Sequence, residues 1–157
     1  GDCDKANVLY HYTGEEDCGM AMYLPSQGPK TCSYGCHGFG SCVKACPFEA
    51  ISVVNGVAVV DKERCKACGK CIAVCPRNLI ELIPYDAKYA VACSSKEKGA
   101  ATAKACSAGC IGCGLCKKNC EKNAIEVEDF HARINQELCI GCGTCVEKCK
   151  KGSIVKL

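Results

Sequence analysis

The spacing of cysteines carries the clearest chemistry in this sequence. Residues 65–76 read CKACGKCIAVCP, so three cysteines are separated by two residues each, and a fourth follows after three residues and precedes a proline. Three thiolates at this spacing can bind one iron–sulfur cube, whereas the fourth points away and binds a neighbouring cube. One such run therefore predicts a partner run elsewhere in the chain.

Three further runs are present, and the four runs form an internal repeat. Eight cysteines of the first half recur 74 positions later in the second half. The run at residues 32–47 departs from the usual spacing, because Phe39 stands where the repeat has Cys113. Cys32 precedes Cys36 by about one helical turn and is the natural replacement ligand.

Crossed ligation between paired runs predicts four [4Fe–4S] clusters. In each unit, three cysteines of one run and the last cysteine of the other run would bind one cube, which ties the two halves together. The predicted ligands are Cys32, Cys36, Cys42 and Cys75 for cluster 1; Cys46, Cys65, Cys68 and Cys71 for cluster 2; Cys110, Cys113, Cys116 and Cys149 for cluster 3; and Cys120, Cys139, Cys142 and Cys145 for cluster 4.

Other uses of the cysteines remain open. Structural zinc is the main rival, but four-cysteine zinc sites usually show two knuckles separated by a longer loop. A secreted disulfide-rich domain is a second rival, which the closely spaced runs disfavour. Four thiols are unassigned and are interpreted as free buried thiols, a Cys93–Cys106 disulfide or a fifth cluster: Cys3, Cys18, Cys93 and Cys106.

No other constellation in the sequence predicts a catalytic centre. We find no dinucleotide fingerprint, no phosphate-binding loop and no Ser/His/Asp arrangement that can be placed. His37 lies between two predicted ligands and is interpreted as a solvated loop residue, with hydrogen bonding to a cluster sulfur as the alternative. An iron–sulfur enzyme would need a cube with only three cysteines, for which cluster 1 is the candidate.

Composition and charge agree with a metal-supported fold. The chain has 157 residues, 20 of them cysteine, and without these the apolar share falls to about a third, which predicts a thin core. An oxidised cube with four thiolates carries about −2, so four cubes would change the formal charge of +3 to about −5. The lysines are therefore poor evidence for nucleic-acid binding, and no apolar stretch is long enough to span a membrane.

Short elements are predicted between the runs. Asn55-Gly56 is typical of a type I′ turn and predicts a hairpin over residues 50–60, which the repeat echoes at 124–134. Further strands are predicted at residues 7–12, 79–83, 89–93 and 154–157, and short helices at residues 16–24 and within 94–104. The fold class is therefore α+β: a lead-in segment (1–31), a two-cluster ferredoxin-like unit (32–84), a connecting strand and loop (85–109) and a second such unit (110–157).

The string CSYGCHGFGSCVKACPFEAI at residues 32–51 resembles the B subunit of the Rnf ion-translocating ferredoxin–NAD oxidoreductase complex. The preceding segments GDCDKA and YHYTGEEDCGMAMYL are similar to the same family's lead-in, so the resemblance covers essentially the whole chain. It implies an iron–sulfur electron carrier on the cytoplasmic side of a membrane complex. Its matching ligands are Cys32, Cys36, Cys42, Cys46, Cys65, Cys68, Cys71 and Cys75.

The resemblance also implies partners. Reduced ferredoxin would donate electrons, which four clusters would pass to other subunits, with no catalytic centre in this chain. The family carries an N-terminal membrane anchor, which is expected upstream of Gly1. The alternative is a stand-alone soluble polyferredoxin that serves another oxidoreductase.

Overall fold

The computed structural model describes residues 4–157, and these divide into two compact units with the boundary between Leu82 and Ile83. The longest described helix, Gly99–Ala105, has seven residues. Among the described residues, no helix has the length and apolar character that crossing a bilayer requires. Cys3, one of the unassigned thiols, lies outside the described residues.

The first unit contains three short helices and one hairpin. Asn55 and Gly56 both have positive φ, 47° and 72°, which is the backbone of a type I′ turn. The predicted hairpin is therefore confirmed, with Ile51 opposite Val60. The elements are α1 (Cys18–Ala21), a 3-10 turn (Pro25–Gln27), α2 (Ser41–Lys44), β1 (Ile51–Val54), β2 (Val57–Val60) and α3 (Lys70–Val74).

Two predicted strands of the first unit are wrong. Residues 7–12 form only an isolated bridge, in which Val8 pairs with Lys30. Residues 79–83 form no strand. The repeat explains the second miss, because the positions that would supply its partner strand are Glu15, Glu16 and Asp17, which favour neither a strand nor burial.

The predicted helix over residues 16–24 is confirmed but shorter. Asp17 ends the acidic segment as the N-cap of α1, where its Oδ1 accepts a hydrogen bond from the Met20 N–H at 2.9 Å. This cap fixes the start of the helix at Cys18, so the acidic stretch begins a helix in the first unit where the repeat has a strand.

The second unit follows the predicted order of elements. Its two antiparallel pairs place Tyr89 opposite Lys156 and Ile125 opposite Ile134, so the predicted strands and hairpin are confirmed with bounds shifted by one or two residues. The elements are β3 (Tyr89–Val91), α4 (Gly99–Ala105), α5 (Leu115–Lys118), β4 (Ile125–Glu128), β5 (His131–Ile134), α6 (Thr144–Lys148) and β6 (Ile154–Lys156).

The apolar core of the second unit is small. Ile125, Ala132 and Ile154 are 2–3% exposed, and the remaining buried members are the cysteines Cys116 and Cys145. Among all the described residues, the buried aliphatic side chains larger than alanine are only Ile51, Ile125 and Ile154. Cysteine side chains therefore occupy positions that large apolar residues fill in ordinary domains of this size.

In both units, a cysteine-bearing loop packs backbone to backbone against a hairpin turn. A Cβ on Gly112 would lie 2.7 Å from the Phe130 carbonyl oxygen, and one on Gly38 would lie 2.6 Å from the Gly56 carbonyl oxygen. The 74-residue repeat relates Gly38 to Gly112 and Gly56 to Phe130. Only glycine in the loop permits this close approach, so the hairpin turn fixes the position of each cysteine-bearing loop.

Replacing Gly112 by alanine should destabilise the second unit more than replacing Gly114. Both glycines have positive φ, but nothing lies within 4 Å of a Cβ built on Gly114. The Gly114→Ala variant should lose about 1–2 kcal/mol of unfolding free energy through backbone strain alone. The Gly112→Ala variant should lose about 1–3 kcal/mol more through overpacking.

Anaerobic denaturant unfolding followed by far-ultraviolet circular dichroism measures both values. A Gly112→Ala variant as stable as Gly114→Ala would contradict the close backbone packing.

Candidate iron–sulfur sites

Four short helices present one cysteine each in the same position. Cys42, Cys71, Cys116 and Cys145 are the second residues of α2, α3, α5 and α6. A glycine with left-handed backbone conformation precedes each of these helices, so the preceding loop reverses direction and brings its own cysteines to the same side. These glycines are Gly40, Gly69, Gly114 and Gly143.

The cysteine that ends each run accepts a backbone hydrogen bond from the residue four positions later. Ala50 N–H lies 3.4 Å from Cys46 Sγ, and Ala124 N–H lies 3.3 Å from Cys120 Sγ. The same contact joins Leu79 to Cys75 at 3.4 Å and Ser153 to Cys149 at 3.3 Å. N–H donors directed at sulfur stabilise thiolate charge, which is the form that binds metal.

In the second unit, two cavities gather the cysteines into the predicted crossed sets. One is lined by Val91, Ala132 and Ile154 together with the cysteines predicted for cluster 3: Cys110, Cys113, Cys116 and Cys149. The other is lined by Tyr89, Ile125 and Ile134 together with those predicted for cluster 4: Cys120, Cys139, Cys142 and Cys145. In each cavity, three thiols come from one run and the fourth comes from the other run.

The thiols of these cavities differ in their environment. Burial raises the pKa of Cys116, and negative charge on Cys110, Cys149 and Cys113 adds to the effect, so these sulfurs lie close together. Burial would also raise the pKa of Cys149, but the N–H groups of Ser153 and nearby residues outweigh it and hold that pKa below its ordinary value. Thiolate binding to iron would relieve the mutual repulsion.

The cluster 4 cavity shows the same contrast. Burial raises the pKa of Cys145, with charge on Cys139 and Cys142 as further contributions. The backbone N–H and hydroxyl of Thr144 lower the pKa of the exposed Cys142. Ionisation of these thiols to thiolates, the form that binds iron, would concentrate negative charge at each cavity, and a cationic inorganic core would compensate it.

The first unit brings its predicted ligands together less regularly. Burial raises the pKa of Cys42 to about 11, and negative charge on Cys36 and Cys18 contributes. Burial likewise raises the pKa of Cys71, with smaller contributions from Cys65 and Cys68. Cys36 is therefore within electrostatic range of Cys42, and Cys65 and Cys68 are each within range of Cys71.

Cys18 is a neighbour of the first site that sequence reasoning left unassigned. It is 8% exposed, and its N–H donates to Ser41 Oγ at 2.9 Å, beside Cys42. The repeat offers no signal for it, because the position 74 residues later is Ala92. Cys18 remains a free thiol in this structure.

His37 is buried, so its interpretation as a solvated loop residue is wrong. It is 7% exposed and stacks on Phe39 with ring centroids 5.9 Å apart, and Tyr12 contacts the same phenyl ring. Burial, with positive charge on Arg77 and Lys30, lowers the pKa of His37 to about 4, and the imidazole is neutral at pH 7. The residue that replaces a ligand in the first run therefore anchors an aromatic stack.

Two cations hold the loop of the first site. Lys30 Nζ donates to the carbonyl oxygens of Cys36 and Gly56, both at 2.8 Å. Arg77 Nη1 donates to the carbonyl oxygens of Cys32 at 3.0 Å and Gly35 at 2.6 Å. The sequence shows these two basic residues, but nothing in its pattern indicates that they are withdrawn from solvent.

The two unassigned thiols of the second unit are not joined by a disulfide. Cys93 and Cys106 are both free thiols, so the predicted alternative of a Cys93–Cys106 bridge is wrong for this structure. Cys93 Sγ accepts a hydrogen bond from the Cys110 N–H at 3.2 Å, and Cys106 is 3% exposed. Cys93 therefore lies beside a predicted cluster ligand, and Cys106 lies within the core.

The donor set suits an iron–sulfur cube. Each cavity of the second unit offers four sulfurs, at least one of them with an N–H donor, and a lining that is largely apolar. Across residues 4–157, no three or more His, Cys, Asp or Glu side chains are arranged to hold a single metal ion. The residues present thus fit a cluster whose ligands stand apart around it.

Three protein-family models match parts of the chain. A 4Fe-4S dicluster domain matches residues 109–154, and another model with the same description matches residues 64–125. The LdpA Fe-S cluster-binding domain matches residues 24–86. Together they cover all four cysteine runs.

Relatives are similar along most of the chain. The B subunit of the Na(+)-translocating ferredoxin:NAD(+) oxidoreductase complex of Acetobacterium woodii is 41% identical over 87% of this chain and 41% of its own length. The B subunit of the proton-translocating complex of Clostridium ljungdahlii is 47% identical over 88% of this chain and 49% of its own length. The B subunit of an ion-translocating oxidoreductase complex of Methanosarcina acetivorans is 42% identical over 87% of this chain and 52% of its own length.

The chain spans about half the length of these curated relatives. The resemblance inferred from residues 1–51 is confirmed along 87% of the sequence. Over that part, this chain is similar to the B subunits of ion-translocating ferredoxin:NAD(+) oxidoreductase complexes.

Proposed function

We propose that this chain carries four [4Fe–4S] clusters in two tandem two-cluster ferredoxin-like units and transfers single electrons at low potential. The observation that carries the proposal is the pair of cavities in the second unit, each lined by four cysteines from two different runs. The family models with a dicluster description match residues 64–125 and 109–154, and they support cluster binding by the last three of the four cysteine runs.

The ligand sets follow from the repeat. The two sets of the second unit transfer to the first by the 74-residue offset, except that Cys32 replaces the ligand missing at Phe39. When bound, each cluster supplies one-electron redox chemistry. The thiolates hold the iron, the N–H donors four residues after Cys46, Cys75, Cys120 and Cys149 stabilise negative charge on sulfur, and the apolar lining limits access of water.

The homologues supply the biological setting of the proposal. Their names describe subunits of ferredoxin:NAD(+) oxidoreductase complexes that translocate ions. We infer that reduced ferredoxin is the electron donor, that other subunits of such a complex are the acceptors, and that the chain works on the cytoplasmic side of the membrane. No residue of this chain is assigned a catalytic role, because the clusters carry the electron and the protein positions them.

Anaerobic purification with iron and sulfide quantification tests the cofactor content, and mixing with reduced ferredoxin tests the function. Four cubes predict about sixteen irons per chain, and reduced ferredoxin should bleach the cluster absorbance while paramagnetic resonance signals appear. A colourless, folded preparation that contains zinc instead of iron would refute the proposal. Reduction by ferredoxin without binding to the other subunits would instead indicate a stand-alone polyferredoxin.

Paired serine substitutions test the crossed ligation. Cys116 and Cys149 are assigned to one cluster, whereas Cys145, on the helix that precedes Cys149, is assigned to the other. The Cys116→Ser/Cys149→Ser variant should therefore lose about four irons, no more than either single variant. The Cys145→Ser/Cys149→Ser variant should lose about eight. Iron analysis decides, and the reverse order would show that each run binds its own cluster.

Serine substitution also tests the replacement ligand of the first site. Cys32 and Cys106 occupy equivalent repeat positions, but the second unit has Cys113 and does not need Cys106. Cys32→Ser should lower the iron content by about one to four atoms per chain, whereas Cys106→Ser should leave it unchanged. If Cys18→Ser lowers the iron content and Cys32→Ser does not, Cys18 is the ligand instead.

A further inference from the structure

The first site contains two cations that are withdrawn from solvent and have no carboxylate counter-charge within residues 4–157. Lys30 is 5% exposed, and the Arg77 side chain is partly buried, with a pKa that burial lowers from its ordinary value. Both donate to carbonyl oxygens, and no Asp or Glu among the described residues lies within ion-pair distance of either. Unpaired buried charge is strongly disfavoured, so these cations need an anion that the protein side chains do not supply.

The orphaned polar atoms at the same place point to that anion. Arg77 Nε and His37 Nε2 are both buried without a hydrogen-bond acceptor or donor among the described residues. Negative charge on Cys32, Cys36, Cys18 and Cys75 acts on Arg77 against the effect of burial, so the guanidinium faces sulfurs of the predicted first cluster. Buried polar atoms that lack partners call for an explanation, and a bound anion at this position provides one.

The second unit lacks this arrangement. The repeat counterparts of Lys30, His37 and Arg77 are Lys104, Ile111 and Lys151. Lys104 is exposed on α4 and Lys151 is partly exposed, so solvent screens both charges. The equivalent sites of the two units therefore differ in buried positive charge, although three of their four predicted ligands correspond.

We propose that Lys30 and Arg77 compensate the charge of the cluster held by Cys32, Cys36, Cys42 and Cys75 and make it easier to reduce than its repeat counterpart in the second unit. This inference rests on the proposed function. One-electron reduction changes an oxidised cube with its four thiolates from −2 to about −3, and the added electron comes from the low-potential donor. Buried cations favour the more negative state, since they interact with it more strongly at low dielectric.

Lys30 and Arg77 act as positioning and tuning residues, because they reach the cluster ligands through backbone carbonyls and through space. The consequence is a difference in potential between equivalent sites: the first cluster would accept an electron at a higher potential than its repeat counterpart in the second unit.

An anaerobic redox titration of the loaded 157-residue chain, followed by electron paramagnetic resonance, tests the inference. The first cluster is identified as the signal that disappears in Cys42→Ser. In the Lys30→Met and Arg77→Met variants its reduction should become at least tenfold less favourable, a fall in potential of about 59 mV. Arg77→Lys keeps the charge and should retain most of the potential, and Lys104→Met and Lys151→Met are the matched controls.

The outcomes separate the two proposals. A wild-type chain without iron refutes the proposed function. If the chain is fully loaded but its first cluster is no easier to reduce than its third, only this inference is refuted. The same holds if the potential of the first cluster falls equally in the Lys104→Met and Lys151→Met controls. If Lys30→Met and Arg77→Met lose the first cluster, the Arg77→Lys variant decides. A first cluster that is retained at its original potential in Arg77→Lys supports charge compensation. Loss of the cluster in Arg77→Lys as well overturns the inference in favour of a packing role.

Discussion

Close packing of cysteine sulfurs, which would repel one another as thiolates, is the constraint on which this structure depends. Negative charge on Cys110, Cys149 and Cys113 would disfavour ionisation of Cys116, and charge on Cys139 and Cys142 would do the same to Cys145. Among the described residues, the buried aliphatic side chains larger than alanine are only Ile51, Ile125 and Ile154, so there is little hydrophobic burial to offset that repulsion. Iron–sulfur cubes would convert the repulsion into ligation, and they would then serve as the core of each unit.

The two units share the same arrangement of cysteines, but different contacts hold the cysteine-bearing loops. In the second unit, β3 and β6 pair and bring Tyr89 and Val91 to the two cysteine-lined cavities. Residues 4–82 of the first unit form no such pair, because the acidic segment ends in the capped helix α1. There, an aromatic stack on Phe39 and hydrogen bonds from Lys30 and Arg77 hold the loop instead.

The sequence predicts well those elements that depend on local chemistry. Asn55-Gly56 requires little beyond its own backbone preferences, and the hairpin forms as predicted. The misses depend on distant partners: a strand at residues 79–83 needs a second strand, and the burial of His37 depends on Phe39, Arg77 and Lys30. The position of Cys18 beside Cys42 is of the same kind, since no periodic pattern connects residues that α1 and α2 bring together.

At three of the four cysteine runs, the hydrogen bond to the last sulfur also limits how the sequence can change in length. The N–H that contacts Cys46 belongs to the residue just before β1, and the donors to Cys120 and Cys149 just precede β4 and β6. Insertion of one residue between sulfur and strand would turn every side chain of that strand to the opposite face. Divergence of the two halves has accordingly proceeded by substitution, and eight cysteines keep one common offset without a gap.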